Sequence, residues 1–221
     1  MSVITRKIAL AGALALGLGG AAQASTMNFD YQGPGAFGSP NLSQTVRIQS
    51  TDYNGWVRAG AFRMTSGETG DFVAWCIDLA QHLGSGRPYQ EAPNLLSQAA
   101  QTGLGRLFGS VYHQIDTGLE AAAFQLAIWE IIDEDAANDY DLAAGDFSAS
   151  RNSGAIGLAQ TYLDGLLGAD DHAGLRYFES GSSQDLVTAD LAPVPLPASG
   201  ALIVMGLGGL ALVRRRRRRQ A

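Results

Sequence analysis

Hydrophobic and polar positions divide the chain into three zones. Residues 8–22 form an apolar run, residues 25–190 mix apolar and polar positions, and residues 198–213 form a second run without a charge. Each run is too long to be a loop and adjoins basic residues, as in segments that meet a membrane. The pattern therefore predicts one central domain between two segments with membrane-related roles.

The central zone predicts strands first and helices afterwards. Alternating stretches at 45–48 and 56–62 indicate strands. Segment 72–79 is apolar on both faces, which is typical of a central strand. The later segments are helices at 93–108, 117–134 and 155–167 and strands at 175–178 and 185–188. This order predicts an α+β fold, a single domain of N-terminal antiparallel strands packed on about three helices.

The N-terminal segment has the organisation of a signal peptide. Arg6 and Lys7 precede the apolar run, and the sequence Ala22-Gln23-Ala24 follows it. Small residues at these two alanine positions are what signal peptidase accepts, and the run is short for a membrane span. We therefore predict that residues 1–24 are removed by signal peptidase and that the domain at 25–190 is exported.

The C-terminal segment, residues 191–221, combines a linker, an apolar span and a basic end. The apolar residues at about 198–213 predict a transmembrane helix, and six arginines follow at 214–219. Arginine-rich flanks stay in the cytoplasm, so the domain is expected outside. A short motif stands before the span, formed by Val194, Pro195, Leu196, Pro197 and Ala198.

These three parts, in this order, resemble the PEP-CTERM class of bacterial sorting signals, in the variant whose motif is VPLPA. The resemblance covers about 28 residues. It implies that an exosortase-type membrane protease cuts the chain near Pro197. The protein would then be inserted in the inner membrane by its tail before it reaches the cell surface or the extracellular matrix.

The charge of the domain excludes one large class of partners. Residues 25–190 contain seven arginines and 21 acidic residues, which gives a formal net charge of −14. Such a domain does not attract nucleic acid. No cofactor or metal is predicted, because His82, His113 and His172 are isolated and the acidic segment 133–141 lacks the spacing of an EF-hand.

The lone cysteine and one glutamine form the main chemical candidate. Gln125 has only apolar helical neighbours at three, four and seven residues, so its amide is expected in the core, where it needs a partner. Cys76 lies in the predicted central strand and shares a face with Asp78. A thiol held against the Gln125 amide can form an internal thioester. Alternatively, Gln125 bonds the backbone at a strand end and Cys76 is inert packing.

A second resemblance supports the thioester interpretation. The sequence Trp75-Cys76-Ile-Asp-Leu, followed by Phe124-Gln125-Leu-Ala-Ile-Trp129, is similar to the thioester domains of bacterial surface adhesins. In those domains a threonine precedes the glutamine, whereas this chain has Phe124. The resemblance implies that Cys76 is the thiol partner and Gln125 the acyl partner, with Asp78 and Trp129 in supporting positions.

These patterns lead to a functional expectation with one alternative. We expect an exported surface or matrix protein, not an enzyme, that adheres through a Cys76–Gln125 thioester to an amine-bearing or polysaccharide target. The alternative is a structural or carbohydrate-binding matrix protein without covalent chemistry. Trp56, beside Gly55, is the tryptophan most suited to contact a sugar, because Trp75 and Trp129 stand in apolar runs expected in the core.

Overall fold

The protein is described here by a computed structural model, which covers residues 26–134, 140–170 and 174–189. The segments predicted as a signal peptide, a VPLPA-type motif and a transmembrane helix lie outside these residues. The described chain folds into nine strands and three α-helices, with a short 3-10 helix at Tyr112–Gln114 after the first α-helix. The strands are β1 (Thr26–Tyr31), β2 (Ser43–Gln49), β3 (Asn54–Gly60), β4 (Phe62–Ser66), β5 (Gly70–Cys76), β6 (Arg87–Glu91), β7 (Ser148–Ser150), β8 (Arg176–Glu179) and β9 (Leu186–Thr188). The helices are α1 (Gln98–Val111), α2 (Gly118–Asp133) and α3 (Ser153–Asp164).

Six of the strands close into an antiparallel barrel in the order β1-β4-β5-β9-β8-β6. Alternating residues of these strands point inward, and the interior is filled by aromatic rings. Phe29 lies at the centre, with its ring centroid 4.6 Å from Tyr89, 4.8 Å from Phe72 and 5.0 Å from Phe178. These contacts bring strands from both ends of the domain together.

The other three strands form a small sheet in the order β3-β2-β7, and it packs against the central helix α2. Helices α1 and α3 contact α2 on its remaining sides. A capping box starts α2, because the Thr117 side chain accepts from the Glu120 N–H while the Glu120 carboxylate accepts from the Thr117 N–H. Every residue from Ala121 to Ile131 is buried. Helix α2 is therefore the core element that the sheet, the barrel and two helices share.

The α+β class and the three helices are as predicted, with shifted ends. Ser97 caps α1, so that helix begins five residues after the predicted start at Pro93. Strand β5 ends at Cys76 and not at Leu79, because the chain turns at Asp78, whose carboxylate accepts from the Ala80 N–H. The prediction that Asp78 shares a strand face with Cys76 is therefore wrong, because Asp78 lies in the turn after the strand.

The two predicted C-terminal strands are confirmed as β8 and β9, but the N-terminal strands do not close into the barrel without them. The C-terminal strands β8 and β9 are part of the same barrel, in which β9 pairs with β5 and β8 pairs with β6. Phe178 of β8 and Leu186 and Val187 of β9 have no exposed surface. Within the described residues no helix is long and apolar enough to cross a membrane.

Candidate functional site

Two elements far apart in sequence position Cys76 and Gln125. Cys76 is the last residue of β5, where it pairs with Leu186 of β9, and Gln125 lies midway along α2. Both residues are only 1% exposed. The preceding residues, Trp75 and Phe124, pack with their ring centroids 4.6 Å apart and exclude water on one side. The structure thus brings the two candidates together in a dry interior site.

The Gln125 carboxamide bonds the backbone of Cys76 at both of its ends. Its Oε1 accepts from the Cys76 N–H at 3.0 Å, and its Nε2 donates to the Cys76 carbonyl at 2.8 Å. The pair joins α2 to the end of β5, where the strand has no further ladder partner for these groups. The buried amide that the sequence pattern implied is therefore satisfied by main-chain groups.

The thiol of Cys76 is held by the turn that follows the strand. Its Sγ donates to the Asp78 carbonyl at 2.9 Å, and the Asp78 N–H lies 3.4 Å from the same sulfur. Burial raises the pKa of the thiol to about 12. The cysteine is therefore a neutral thiol at neutral pH, and it needs a base before it can act as a nucleophile.

Two carboxylates and an indole surround the thiol. Asp78 and Asp185 both lie close enough for their charge to raise the pKa of Cys76, although less than burial does. Burial also raises the pKa of Asp185 to about 6. The Trp129 indole lowers the pKa of the thiol slightly, yet its Nε1 makes no hydrogen bond of acceptable geometry within the described chain. Similarly, Asp78 Oδ2 is buried and has no partner among the described residues.

This arrangement can support acyl chemistry at Gln125. The Cys76 N–H donates to Oε1, the atom on which negative charge develops when a nucleophile attacks the carbonyl carbon. The thiol belongs to the same residue, so the nucleophile and the polarising donor are fixed relative to each other. The Asp78 carboxylate acts electrostatically on the thiol, and its Oδ2 has no partner among the described residues, so it is the group that could serve as a base after a small movement of the turn.

The sequence patterns predicted a strand at 185–188 but did not indicate that Asp185 lies beside Cys76. Asp185 precedes the short strand β9, and its carbonyl accepts from the Ile77 N–H at 3.0 Å, directly after Cys76. An isolated acid before Leu186 and Val187 gives no local pattern that could identify it as part of the site. Among the described residues no cluster of His, Cys, Asp or Glu side chains is placed to hold a metal ion. The processing motif at 194–198 lies outside the described residues.

Comparisons with known proteins give one distant likeness. No known protein family matches the sequence, and no curated protein matches it. Among solved structures, the fold is similar to the N-terminal thioester domain of the fibronectin-binding protein SfbI from Streptococcus pyogenes. The likeness has 15% sequence identity and a TM-score of 0.43, and it covers 73% of this chain and 100% of that domain. At this distance it does not indicate a function for the chain.

Proposed function

We propose that this protein is an exported surface or matrix protein whose domain attaches covalently to its target through a thioester between Cys76 and Gln125. The observation that carries the proposal is the buried pair of hydrogen bonds between the Gln125 carboxamide and the backbone of Cys76, which places the amide beside the residue that carries the thiol. Export and cleavage by an exosortase-type protease are part of the same proposal. They rest on the basic, apolar and proline-containing segments at the two ends of the sequence.

The crosslink forms by displacement of ammonia. The Cys76 sulfur attacks the side-chain carbonyl carbon of Gln125, the S–C bond forms, and the C–N bond breaks. The proton of the thiol passes to the departing nitrogen, which leaves as ammonia, and Asp78 and Asp185 are the carboxylates whose charge acts on the thiol and which can relay the proton. The Cys76 N–H stabilises the negative charge on Oε1 during the attack. The reaction needs no external oxidant or cofactor.

The resulting thioester is a stored acyl group. An amine on a target surface attacks the Gln125 carbonyl carbon, an amide bond forms, and the C–S bond breaks to give back the Cys76 thiol. The buried position of both residues protects the thioester from water, because each is only 1% exposed. A target amine therefore has to enter the site before it can react.

The same contact also favours a second function. Both polar groups of the Gln125 side chain are satisfied by the backbone of Cys76, and the thiol is bonded to the Asp78 carbonyl. In this alternative the glutamine is a clamp between α2 and β5, and the protein is a non-covalent structural or carbohydrate-binding matrix component. The high pKa of the thiol favours this alternative, because a neutral thiol is a poor nucleophile.

The intact mass of the exported protein distinguishes the two functions. The full chain is expressed with its signal peptide in a medium free of added amines, and the mature protein is purified without reducing agents. If the thioester forms, the mass is lower by one ammonia, and peptide mapping recovers Cys76 and Gln125 in one crosslinked fragment. Methylamine then adds its own mass at Gln125 and frees a thiol that can be alkylated.

Two matched variants make the result specific. Cys76→Ala and Gln125→Glu each remove one partner of the crosslink, so neither should lose ammonia or react with methylamine. A wild-type protein with its full mass and a thiol that is alkylated only after unfolding would overturn the covalent proposal. The clamp would then be the role of Gln125.

A further inference from the structure

An open cleft of about 330 Å³ adjoins the Cys76–Gln125 site. Its walls come from β3, from the segment before β2 and from the segment that follows Cys76. Trp129, four residues after Gln125 on α2, is one of its lining residues. The described lining residues that matter here are Tyr31, Phe37, Tyr53, Trp56, Arg58 and His82. The cleft has the size of a site for one or two sugar rings.

Aromatic side chains dominate the cleft, and the structure holds several of them in place. Tyr31 donates its hydroxyl to the Leu83 carbonyl at 3.1 Å, and Tyr53 donates to the Trp56 carbonyl at 3.2 Å. Phe37 packs on Phe62 with ring centroids 5.4 Å apart. Trp56 is 55% exposed, in contrast to Trp75 and Trp129, which are almost fully buried. An indole kept on the rim of a cleft offers a flat face to a ligand.

The charge of the cleft is opposite to that of the domain. The domain has 21 acidic residues against seven arginines, yet no described lining residue of the cleft is acidic. Arg58 lies on one wall, with its guanidinium carbon 4.3 Å from the centre of the Phe37 ring and one of its nitrogens donating to the Ser43 hydroxyl at 2.7 Å. His82 is a further lining residue. This local charge favours an anionic group over an ammonium group.

Polar groups are also available to orient a ligand. The His82 ring and the Gln184 carboxamide line the cleft, and neither side chain has a hydrogen-bond partner within residues 26–134, 140–170 and 174–189. Arg58 retains further N–H donors, because only one of its nitrogens bonds Ser43. A planar guanidinium fits a carboxylate better than it fits a hydroxyl group.

We propose that this cleft binds a uronate unit of an acidic polysaccharide. The sugar ring stacks on Trp56, and its carboxylate pairs with Arg58. The proposal goes beyond the thioester, since it names a ligand that is bound reversibly and does not need Cys76. Trp129 connects the two sites, because its side chain lines the cleft and also lowers the pKa of the Cys76 thiol.

The test measures binding of two defined probes by isothermal titration calorimetry. The probes are tetragalacturonate and maltotetraose, which are pyranose chains of equal length with and without carboxylates. The full mature protein carrying Cys76→Ala is used, so that covalent attachment cannot contribute. We expect tetragalacturonate to bind at least about tenfold more tightly than maltotetraose, as one well-placed charge-assisted contact provides.

Three variants assign the binding to the cleft. Trp56→Ala should abolish binding of tetragalacturonate, and Arg58→Gln should remove the preference for the acidic probe. Leu167→Ala should leave binding unchanged, because Leu167 is 72% exposed and does not line the cleft. Circular dichroism verifies that each variant is folded. Absence of binding to tetragalacturonate, equal binding of both probes, or retained binding in Trp56→Ala would overturn the proposal.

Loss of the cleft interaction is distinguishable from failure of the thioester. The mass measurement on the wild-type chain reports the crosslink alone, whereas the titration in Cys76→Ala reports the cleft alone. Binding of tetragalacturonate together with a full, unreduced mass would support the proposed glycan site and refute the crosslink. A mass lower by one ammonia without binding of tetragalacturonate would support the crosslink and refute the glycan site.

Discussion

At the residue scale, Glu130 of α2 is the most unusual ionisable group. It has no exposed surface, and its Oε2 has no hydrogen-bond partner in the described chain. Its Oε1 accepts from the Asp141 N–H at 2.7 Å. Burial, reinforced by the nearby carboxylates of Glu134, Asp141 and Asp133, raises its pKa from 4.5 to about 7. At low pH the folded protein holds this proton more tightly than the unfolded chain does.

This shift predicts that the protein loses stability as the pH rises through about 7. Between the two pKa values only the folded state is protonated, so the contribution is complete below the unfolded pKa and disappears above the folded one. Glu130→Gln keeps the acceptor for Asp141 and removes the titration. Between about pH 5 and about pH 8, the free energy of unfolding measured with urea should fall less in this variant than in the wild type. The difference should be on the order of 3 kcal/mol.

Asp116→Asn is the control, because Asp116 is an exposed carboxylate before α2 and does not contribute to the raised pKa of Glu130, Asp133 or Asp185. It should keep the wild-type dependence on pH. Asp133 and Asp185, whose pKa values are raised to about 6, also titrate in this range and leave some dependence in Glu130→Gln. If Glu130→Gln follows the wild-type curve throughout, the carboxylate of Glu130 is not buried as the structure shows.

At the scale of elements, the Gln125 carboxamide is the polar connection between α2 and the barrel. Removing it leaves the N–H and the carbonyl of residue 76 buried without partners. We expect Gln125→Ala, made in a Cys76→Ala background, to cost about 2–4 kcal/mol, because each unsatisfied buried group costs about 1–3 kcal/mol. The background variant excludes any crosslink, and its backbone keeps both hydrogen bonds to Gln125.

Chemical unfolding of the single and double variants checks this expectation. Gln101→Ala in the same background is a useful control, since Gln101 bonds the Pro93 and Leu96 carbonyls at a partly exposed helix start. It should cost clearly less than Gln125→Ala. A change below about 0.5 kcal/mol for Gln125→Ala, which is typical of ordinary surface substitutions, would show that the clamp does not hold the two elements together.

The sequence predicted helices better than strands for a physical reason. Helix α2 begins and ends within one residue of its predicted bounds, because Thr117 and Glu120 form a local capping box. The end of β5 was misplaced, since apolar residues continue past Cys76 while the turn at Asp78 depends on side-chain bonds. The burial of Gln125 could be predicted from its apolar helical neighbours. Its hydrogen-bond partner could not be predicted, because the main-chain groups of a distant strand leave no pattern in the sequence.

At the scale of the whole molecule, the barrel is completed by the last strands of the domain. β9 pairs with Trp75 and Cys76 of β5, and β8 pairs with β6. Pairing between such distant segments could not be predicted from local periodicity, since alternation identifies a strand and not its neighbour. The candidate site depends on this closure, because Asp185 and Leu186 fix the end of β5 beside α2.

We therefore expect a chain that ends at residue 174 to lose its cooperative unfolding transition. The deletion exposes an edge on both β5 and β6 and removes the fully buried side chains of Phe178, Leu186 and Val187. Removing one such side chain costs about 2–5 kcal/mol. The sum for all three exceeds the free energy of unfolding of a marginally stable domain, about 5 kcal/mol. Thermal circular dichroism should show a gradual change for this chain and a single transition for a control that ends at residue 190. A sharp transition at an unchanged temperature in the shorter chain would mean that β8 and β9 are dispensable, and that the end of β5 is held by α2 alone.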